Sequence, residues 1–165
     1  MIRLRSEQRA DADSIRTVIR AAFATHPLSL HNEERIVDTL RDAGVLTVSI
    51  VALSNDDLVG HIACSPVAID GLHCGWYGLG PVAVRPDVQR RGIGAMLVRA
   101  SIAELEQSRA DGIVLLGDFE YYERFGFARQ TRLVLPGAPA NHFLSLSLQG
   151  GNPSGTVTYH AAFSG

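Results

Sequence analysis

Apolar residues recur along the chain at two spacings, one typical of helices and the other of strands. Helical spacing, with polar residues on the opposite side, predicts a first amphipathic helix over residues 15–23, preceded by Asp11 and Asp13. A second helix begins at Glu33 and closes at Gly44, and the longest helix covers residues 92–108. Residues 119–124 fit a short helix that ends before Gly126.

Runs rich in apolar and β-branched residues lie between and after these helices and predict strands. They cover residues 46–53, 58–63, 76–84, 113–116, 132–135, 142–148 and 156–163. The polar turn Asn55-Asp56-Asp57 predicts a hairpin between the first two strands, and residues 150–155, rich in Gly, Pro and Ser, predict a late hairpin loop. The order of the elements predicts a mixed α/β fold with strand, helix and strand at its centre.

Pro81 interrupts the predicted strand over residues 76–84. Proline has no N–H to donate to a neighbouring strand, so this strand should be bulged or splayed from one neighbour near Pro81. Such a gap would leave backbone groups free to bind a ligand.

Composition and charge limit the protein classes that fit. A chain of 165 residues with 46% apolar composition predicts one compact domain over residues 1–165. The net charge of −2 provides no general attraction for nucleic acid, so a small-molecule partner is favoured. The first five residues lack the apolar core of a secretory signal, and no apolar run approaches the roughly 20 residues that span a bilayer. We therefore expect a cytoplasmic protein with no membrane partner.

The two cysteines, Cys64 and Cys74, lie close to two histidines, His61 and His73, which raises the question of a zinc site. His73 and Cys74 are adjacent, so in a strand their side chains would point to opposite faces and could not easily share one metal. We predict no metal site and two buried, reduced cysteines.

Residues 79–95 combine a strand, a tight loop with closely spaced glycines, and the start of a helix. Unpartnered N–H groups and the helix dipole attract anions at such a position, and glycine lets a phosphate approach the main chain closely. Glycines that only relieve crowding at a helix start are the alternative interpretation. The loop lacks the Gly-Lys-Ser/Thr of a P-loop, and Leu97 stands where a dinucleotide fingerprint requires its third glycine.

The segment Gln89-Arg90-Arg91-Gly92-Ile93-Gly94 resembles the Q/R-x-x-G-x-G/A signature of the GNAT superfamily of acyl-CoA-dependent N-acetyltransferases. Val82-Ala83-Val84 resembles the splayed strand that pairs with the pantetheine arm of the cofactor in that family. Downstream, residues 121–127 resemble its Tyr-x-x-x-Gly-Phe segment. The resemblance is close over residues 76–127, and the region after Arg129 carries no family motif.

The resemblance implies a central twisted mixed β-sheet flanked by helices, with the splayed strand at the cofactor site, and acetyl-CoA as the co-substrate. It implies that the pyrophosphate is bound by main-chain amides of Gln89, Arg90, Arg91, Gly92, Ile93, Gly94 and Ala95, and that Val82, Ala83 and Val84 form the strand beside the pantetheine. Arg85, Arg90 and Arg91 could also reach the phosphates, although a solvated run of charges is the ordinary alternative.

Tyr122, four residues before Gly126, matches the usual general acid of the family, which stabilises the departing CoA thiolate. A packing role is its alternative, and Tyr121 is the neighbouring competitor. The attacking amine must also lose a proton, and the spacing does not decide which base assists. The candidates are Glu33, Glu34, His26, His31, His61 and Asp118. Asp118 follows a strand at its carboxyl end, where sites of α/β proteins often lie, so it is the second predicted catalytic residue.

Three functions are compatible with these observations. The first is direct transfer of an acetyl group from acetyl-CoA to a primary amine, on a small molecule or a peptide, without a covalent intermediate. The second is a non-catalytic sensor that binds acyl-CoA, and the third is an interaction domain whose glycines serve only packing. The resemblance leaves a homodimer open, since dimers are common among such enzymes.

Overall fold

The computed structural model describes residues 1–129 and 132–164. In chain order its elements are β1 (Ile2–Ser6), α1 (Ala12–Phe23), α2 (Glu33–Asp42), β2 (Val48–Ser54), β3 (Asp57–Ile69), β4 (Leu72–Val84), α3 (Ile93–Gln107), β5 (Gly112–Leu116), α4 (Phe119–Tyr122), β6 (Ala128–Arg129), β7 (Leu133–Val134), β8 (Phe143–Ser147) and β9 (Gly155–Thr158). Short 3-10 turns include Pro86–Val88 before α3, Glu123–Phe125 after α4 and Ala161–Phe163 after β9.

The strands form a mixed sheet in the order β1-β2-β3-β4-β5-β8-β6. Neighbours along this order are antiparallel except β4 and β5, which run parallel. Strand β9 pairs with the end of β3 at Ala68 and Ile69 and runs parallel to β7. None of the helices in the described ranges is long and apolar enough to cross a membrane.

The two faces of the sheet are covered by different helices. On one face α1 and α2 bury Ile15, Val18 and Val37 against Val51 and Ala83 of the sheet. On the other face α3 buries residues such as Leu97 and Leu105 in a larger core. Each fully buried leucine of this kind contributes about 1.5–3 kcal/mol to folding, so the apolar stripe of α3 fixes this helix on the sheet.

The helices predicted from apolar spacing are confirmed, as is the first hairpin. Its turn residues Asn55 and Asp56 both have positive φ angles, as a tight hairpin turn requires. Strands β3 and β4 are longer than predicted because a second turn of the same kind, at Asp70 and Gly71, joins them. The alternation of Ile2 and Leu4 with arginines forms β1, which the sequence analysis missed.

Two predictions for the C-terminal part are wrong. Residues 161–163 form a 3-10 turn instead of continuing a strand. Residues 150–155 do not close a hairpin, because β8 pairs with β5 and β6 whereas β9 pairs with β3 and β7. Pairing partners so far apart in the chain leave no local signal in the sequence.

Strand β4 separates from its parallel neighbour halfway along its length. It pairs with β5 only through Trp76, Tyr77 and Gly78, and no described residue of β5 pairs with residues 79–84. On the other side, Ile62 opposes Val82 and Cys64 opposes Leu79, so two β4 residues bulge opposite one β3 residue. The predicted bulge and splay near Pro81 are therefore confirmed.

Candidate functional site

A cleft of about 580 Å³ lies beside the splayed half of β4 and the start of α3. Eight of the ten predicted cofactor residues line it: Val82, Val84, Gln89, Arg90, Gly92, Ile93, Gly94 and Ala95. Its other walls are formed by Ala22, Phe23 and His26 at the end of α1 and by Tyr121 and Arg124 around α4. The cleft thus brings together three segments that are distant in sequence.

The loop before α3 has a tight backbone conformation and lies along the cleft. Arg90 and Gly92 have φ angles of 65° and 82°, and the Gln89 side-chain Nε2 donates to the Val84 carbonyl oxygen at 2.9 Å. The first hydrogen bond of α3 runs from Met96 N to Gly92 O at 3.0 Å, which leaves the three preceding amides without partners inside the helix. Together with the helix dipole, these amides form a site suited to an anion.

Gly94 lies in the first turn of α3 and lines the cleft. A Cβ atom on Gly94 would lie 3.7 Å from the Tyr121 hydroxyl oxygen and 3.9 Å from Cγ2 of Val84. Both are ordinary contacts, so a small side chain would fit the protein but would occupy space within the cleft. The absence of a side chain at this position therefore serves access to the helix start.

Two predicted cofactor residues, Ala83 and Arg91, are not among the residues that line the cleft. Side chains alternate along a strand, so when Val82 and Val84 face the cleft Ala83 faces the opposite side, where it is buried among residues of α1. Arg91 is exposed. Any contribution of Ala83 to cofactor binding would therefore come from its backbone groups.

Tyr122, the first predicted catalytic residue, is half-buried against the core and is not among the residues that line the cleft, whereas its neighbour Tyr121 is. The Tyr122 ring packs edge-on against Phe127, with the ring centroids 5.9 Å apart. The ring also lies close to Gly117, since a Cβ atom on Gly117 would be only 2.5 Å from Cε2 of Tyr122. Burial, and to a lesser extent the neighbouring Tyr121, raises the pKa of Tyr122 to about 12. The phenol therefore keeps its proton at neutral pH, as a proton or hydrogen-bond donor must.

A family model described as an acetyltransferase (GNAT) domain matches residues 46–129. The uncharacterized N-acetyltransferase YhbS of Escherichia coli K12 is 32% identical over 125 residues, which cover 75% of this chain and 72% of that protein. The chain belongs to the GNAT acetyltransferase family. The predicted family and enzyme class, an N-acetyltransferase, are thus confirmed.

Solved structures of GNAT proteins agree with this fold over nearly the whole chain. A GNAT family acetyltransferase from Brucella melitensis, in complex with acetyl-CoA, matches with a TM-score of 0.90 and 45% identity over 99% of this chain and 98% of that chain. The E. coli YhbS structure, in complex with CoA, matches with a TM-score of 0.89 and 29% identity over 99% and 92% of the two chains. The predicted mixed α/β GNAT fold is thereby confirmed.

Asp118, the second predicted catalytic residue, lies at the start of helix α4. Its side chain is exposed, and Oδ1 accepts a hydrogen bond from the backbone N of Glu120 at 3.3 Å, which caps the helix. Asp118 is not among the residues that line the cleft. Its position supports a role in holding α4, and the catalytic role stays a prediction.

Among the other candidate bases, His26 is the one that lines the GNAT cleft. Glu34 forms an ion pair with Arg20 at 2.8 Å, Glu33 accepts a hydrogen bond from Ser29 at 2.6 Å, and His31 is exposed. The two glutamates therefore have partners of their own in or near α2.

His61 is buried on the sheet face that α1 and α2 cover. Its Nε2 lies 2.8 Å from Ser49 Oγ, which in turn lies 2.6 Å from Glu7 Oε1. A carboxylate can only accept, so Ser49 donates to Glu7 and accepts from the His61 Nε2–H. Burial lowers the pKa of His61 to about 4, although the nearby Glu7 acts in the opposite direction. The arrangement is that of a neutral structural histidine.

The cysteines differ from each other in exposure. Cys64 is buried, and burial raises the pKa of its thiol to about 12. Cys74 is exposed in the outer part of β4, so the prediction of two buried cysteines is wrong for Cys74. Within residues 1–129 and 132–164 no group of three or more His, Cys, Asp or Glu side chains could hold a metal ion.

The sequence analysis missed the part of the cleft that Tyr121 and Arg124 contribute. These residues are three positions apart on a helical turn, a spacing that places two side chains on the same side. That spacing is a signal from which their shared orientation could have been predicted. The contribution of Ala22 and Phe23 left no such signal, because their positions fit the apolar stripe of α1.

Proposed function

We propose that this GNAT protein transfers an acetyl group from acetyl-CoA directly to a primary amine carried by a small molecule or a peptide. The observation that carries the proposal is the shared cleft, which is lined both by the first turn of α3, with its unpartnered amides, and by the splayed half of β4. The first would bind the diphosphate of the cofactor, and the second would bind its pantetheine arm.

The splayed strand suits the pantetheine arm because its edge lacks a neighbour. Over residues 79–84 no described residue of β5 pairs with β4. A ligand with amide groups can add to such an edge through main-chain hydrogen bonds, as extended peptides do at exposed sheet edges. Val82 and Val84, whose side chains line the cleft, would contact the arm along its length.

In the proposed reaction the amine nitrogen attacks the thioester carbonyl carbon, a C–N bond forms, the C–S bond breaks, and CoA leaves as a thiolate. The amine proton passes to a base or to water. Tyr122 would donate to the developing thiolate. A cysteine-like thiol has a pKa near 8.5, whereas that of Tyr122 is raised to about 12, so the phenol would act chiefly by a strong hydrogen bond.

Exchange of Tyr122 for Phe tests the assignment of the acid. In Tyr122→Phe we expect kcat to fall on the order of 10²-fold, because the donor to the thiolate is lost, while the affinity for acetyl-CoA stays nearly unchanged. The measurement is release of free thiol from acetyl-CoA across a panel of primary amines, with the affinity determined by calorimetry.

Three other outcomes would change the proposal. Equal rates in the parent and in Tyr122→Phe would remove Tyr122 from the mechanism. A loss of turnover in Tyr121→Phe alone would make Tyr121 the acid. A parent protein that binds acetyl-CoA but releases no thiol with any of the amines tested would favour the non-catalytic sensor.

The proposal includes one N-acetyltransferase domain over residues 1–165, of which residues 130, 131 and 165 lie outside the described ranges. It is supported by the sheet, in which β1 pairs with β2 and β9, far along the chain, pairs with β3, the neighbour of β2. A cytoplasmic location is supported by the free thiols of Cys64 and Cys74, as expected where cysteines stay reduced. The homodimer stays a prediction, which sedimentation equilibrium would test.

A further inference from the structure

One wall of the cleft consists of Tyr121 and Arg124. The Tyr121 hydroxyl oxygen would lie 3.7 Å from a Cβ on Gly94, so this wall overhangs the first turn of α3. A ligand bound by the amides of that turn would therefore lie close to the α4 segment.

Arg124 is held in place before any ligand binds. Its Nε donates to the Tyr121 carbonyl oxygen at 2.7 Å, and its Cζ lies 4.4 Å from the centroid of the Tyr121 ring. A guanidinium fixed in this way loses little side-chain entropy when it forms further hydrogen bonds. Tyr121 thus positions Arg124 through both its backbone and its ring.

Arg124 differs from Arg85 in its ion pairing. No carboxylate in the described ranges forms an ion pair with Arg124. Arg85, which precedes the loop before α3, by contrast pairs with Asp87 at 2.6 Å. Arg90 lines the cleft from the loop side. Two guanidiniums from different segments of the chain therefore border the cleft.

We propose that Arg124, positioned by Tyr121, binds the diphosphate of the cofactor together with the α3 amides. This inference rests on the proposed function, since the ligand is the CoA moiety of acetyl-CoA. A planar guanidinium can donate two parallel hydrogen bonds to phosphate oxygens, and such charge-assisted bonds are about twice as strong as neutral ones. Loss of Arg124 should weaken binding about 10-fold to 100-fold.

The test compares three ligands that differ in their phosphates: acetyl-CoA, acetyl-dephospho-CoA without the 3′-phosphate, and S-acetylpantetheine without any phosphate. In Arg124→Gln we expect the dissociation constants of the first two to rise by the same factor and that of the third to stay unchanged. Calorimetry of the full chain measures all three.

The chain offers a matched control in Arg129. Its Cζ also lies 4.4 Å from the centroid of an aromatic ring, that of Phe119, but Arg129 is not among the residues that line the cleft. Arg129→Gln removes the same charge and the same type of ring contact, and should leave the affinities for all three ligands unchanged. Tyr121→Phe, which keeps the ring under Arg124, should bind acetyl-CoA more tightly than Tyr121→Ala.

Each contrary result has a separate meaning. If the parent binds acetyl-CoA and Arg124→Gln binds it equally well, this inference is wrong and the proposed function stands. A loss seen with acetyl-CoA but not with acetyl-dephospho-CoA would assign Arg124 to the 3′-phosphate and overturn the diphosphate assignment. A loss that extends to S-acetylpantetheine would reduce Arg124 to a structural role. A parent that binds none of the three ligands would overturn the proposed function itself.

Discussion

Exclusion of water shifts the pKa values of Tyr122 and His61 in opposite directions. A tyrosine becomes negative when it ionises, so burial raises its pKa, here to about 12. A histidine becomes positive when it binds a proton, so burial lowers its pKa, here to about 4. Both side chains are therefore neutral at pH 7, and of the two only Tyr122 is next in sequence to a residue that lines the cleft, Tyr121.

The raised pKa of Tyr122 predicts the alkaline part of the pH profile. The amine becomes reactive as it loses its proton, so kcat/KM should rise with pH. It should not fall again below about pH 11, because the phenol stays protonated until its pKa of about 12 is approached. Initial rates of thiol release between pH 7 and 10.5 measure this. A decrease that begins near pH 9 in the parent and is absent in Tyr122→Phe would show that Tyr122 ionises much earlier than its burial implies.

His61 predicts a loss of stability in acid. Its pKa is near 6.5 in the unfolded chain and about 4 in the folded protein, so below pH 6.5 the unfolded state binds a proton that the folded state does not. The contribution of neutral His61 to the free energy of unfolding is complete above pH 6.5 and falls as the pH approaches 4. We expect it to reduce the free energy of unfolding by about 2–3 kcal/mol between pH 7 and pH 4.5.

Urea unfolding of the parent and of His61→Gln at both pH values isolates this contribution. Glutamine cannot titrate but can still donate an N–H to Ser49, so the difference in stability between the two pH values should shrink in the variant. The pKa of Glu7 is also lowered, because hydrogen bonds from Arg41 and Ser49 outweigh its burial. That contribution to acid sensitivity is present in both proteins. If both proteins lost the same free energy of unfolding between the two pH values, the pKa of His61 would not be lowered in the folded protein.

At the scale of the element, the short helix α4 supports the residues that border the cleft. It comprises only Phe119–Tyr122, and Asp118 caps its start. A one-turn helix has almost no stability of its own and depends on its cap and on side-chain packing. Displacement of α4 would move Tyr122 and the Tyr121–Arg124 wall together.

Asp118 therefore offers a test that separates capping from acid–base chemistry. Asparagine caps helices about as well as aspartate, whereas alanine does not. We expect Asp118→Asn to keep kcat within about twofold, and Asp118→Ala to lose about 0.5–2 kcal/mol of stability together with part of its turnover. Thermal unfolding and thiol release measure the two effects. If Asp118→Asn lost activity on the order of 10²-fold while it remained stable, Asp118 would be an acid–base residue after all.

Elements with a strong local pattern were predictable from the sequence, whereas contacts between distant segments were not. The apolar stripe of α1, the loop around Gly92 and the break at Pro81 each result from local geometry, so the residues themselves indicate them. The pairing of β9 with β3, on the contrary, joins Val157 to Ile69, and the sequence around either residue carries no trace of the other. The exposure of Cys74 was unpredictable for the same reason, because it depends on how far β4 extends beyond its pairing with β5.

At the scale of the whole molecule, the cleft joins the end of α1, the β4–α3 loop and the α4 segment. A ligand that contacts all three must be released before the protein can unfold, so it should stabilise the entire fold. At a concentration 100-fold above its dissociation constant, acetyl-CoA should add about 2.7 kcal/mol. For a chain of this size that raises the midpoint of thermal unfolding by about 5–10 °C.

Two glycine substitutions show whether this stabilisation arises in the cleft. Gly94→Val places a branched side chain at the helix start, where its Cβ has ordinary contacts but its bulk would occupy the space for the diphosphate. Gly151→Val makes the same change where no atom lies within 4 Å of the new Cβ. We expect acetyl-CoA to raise the midpoint of Gly151→Val as in the parent and to leave that of Gly94→Val unchanged. Equal shifts in both variants would place the cofactor away from the start of α3, and the anion site formed by its amides would lose its assigned ligand.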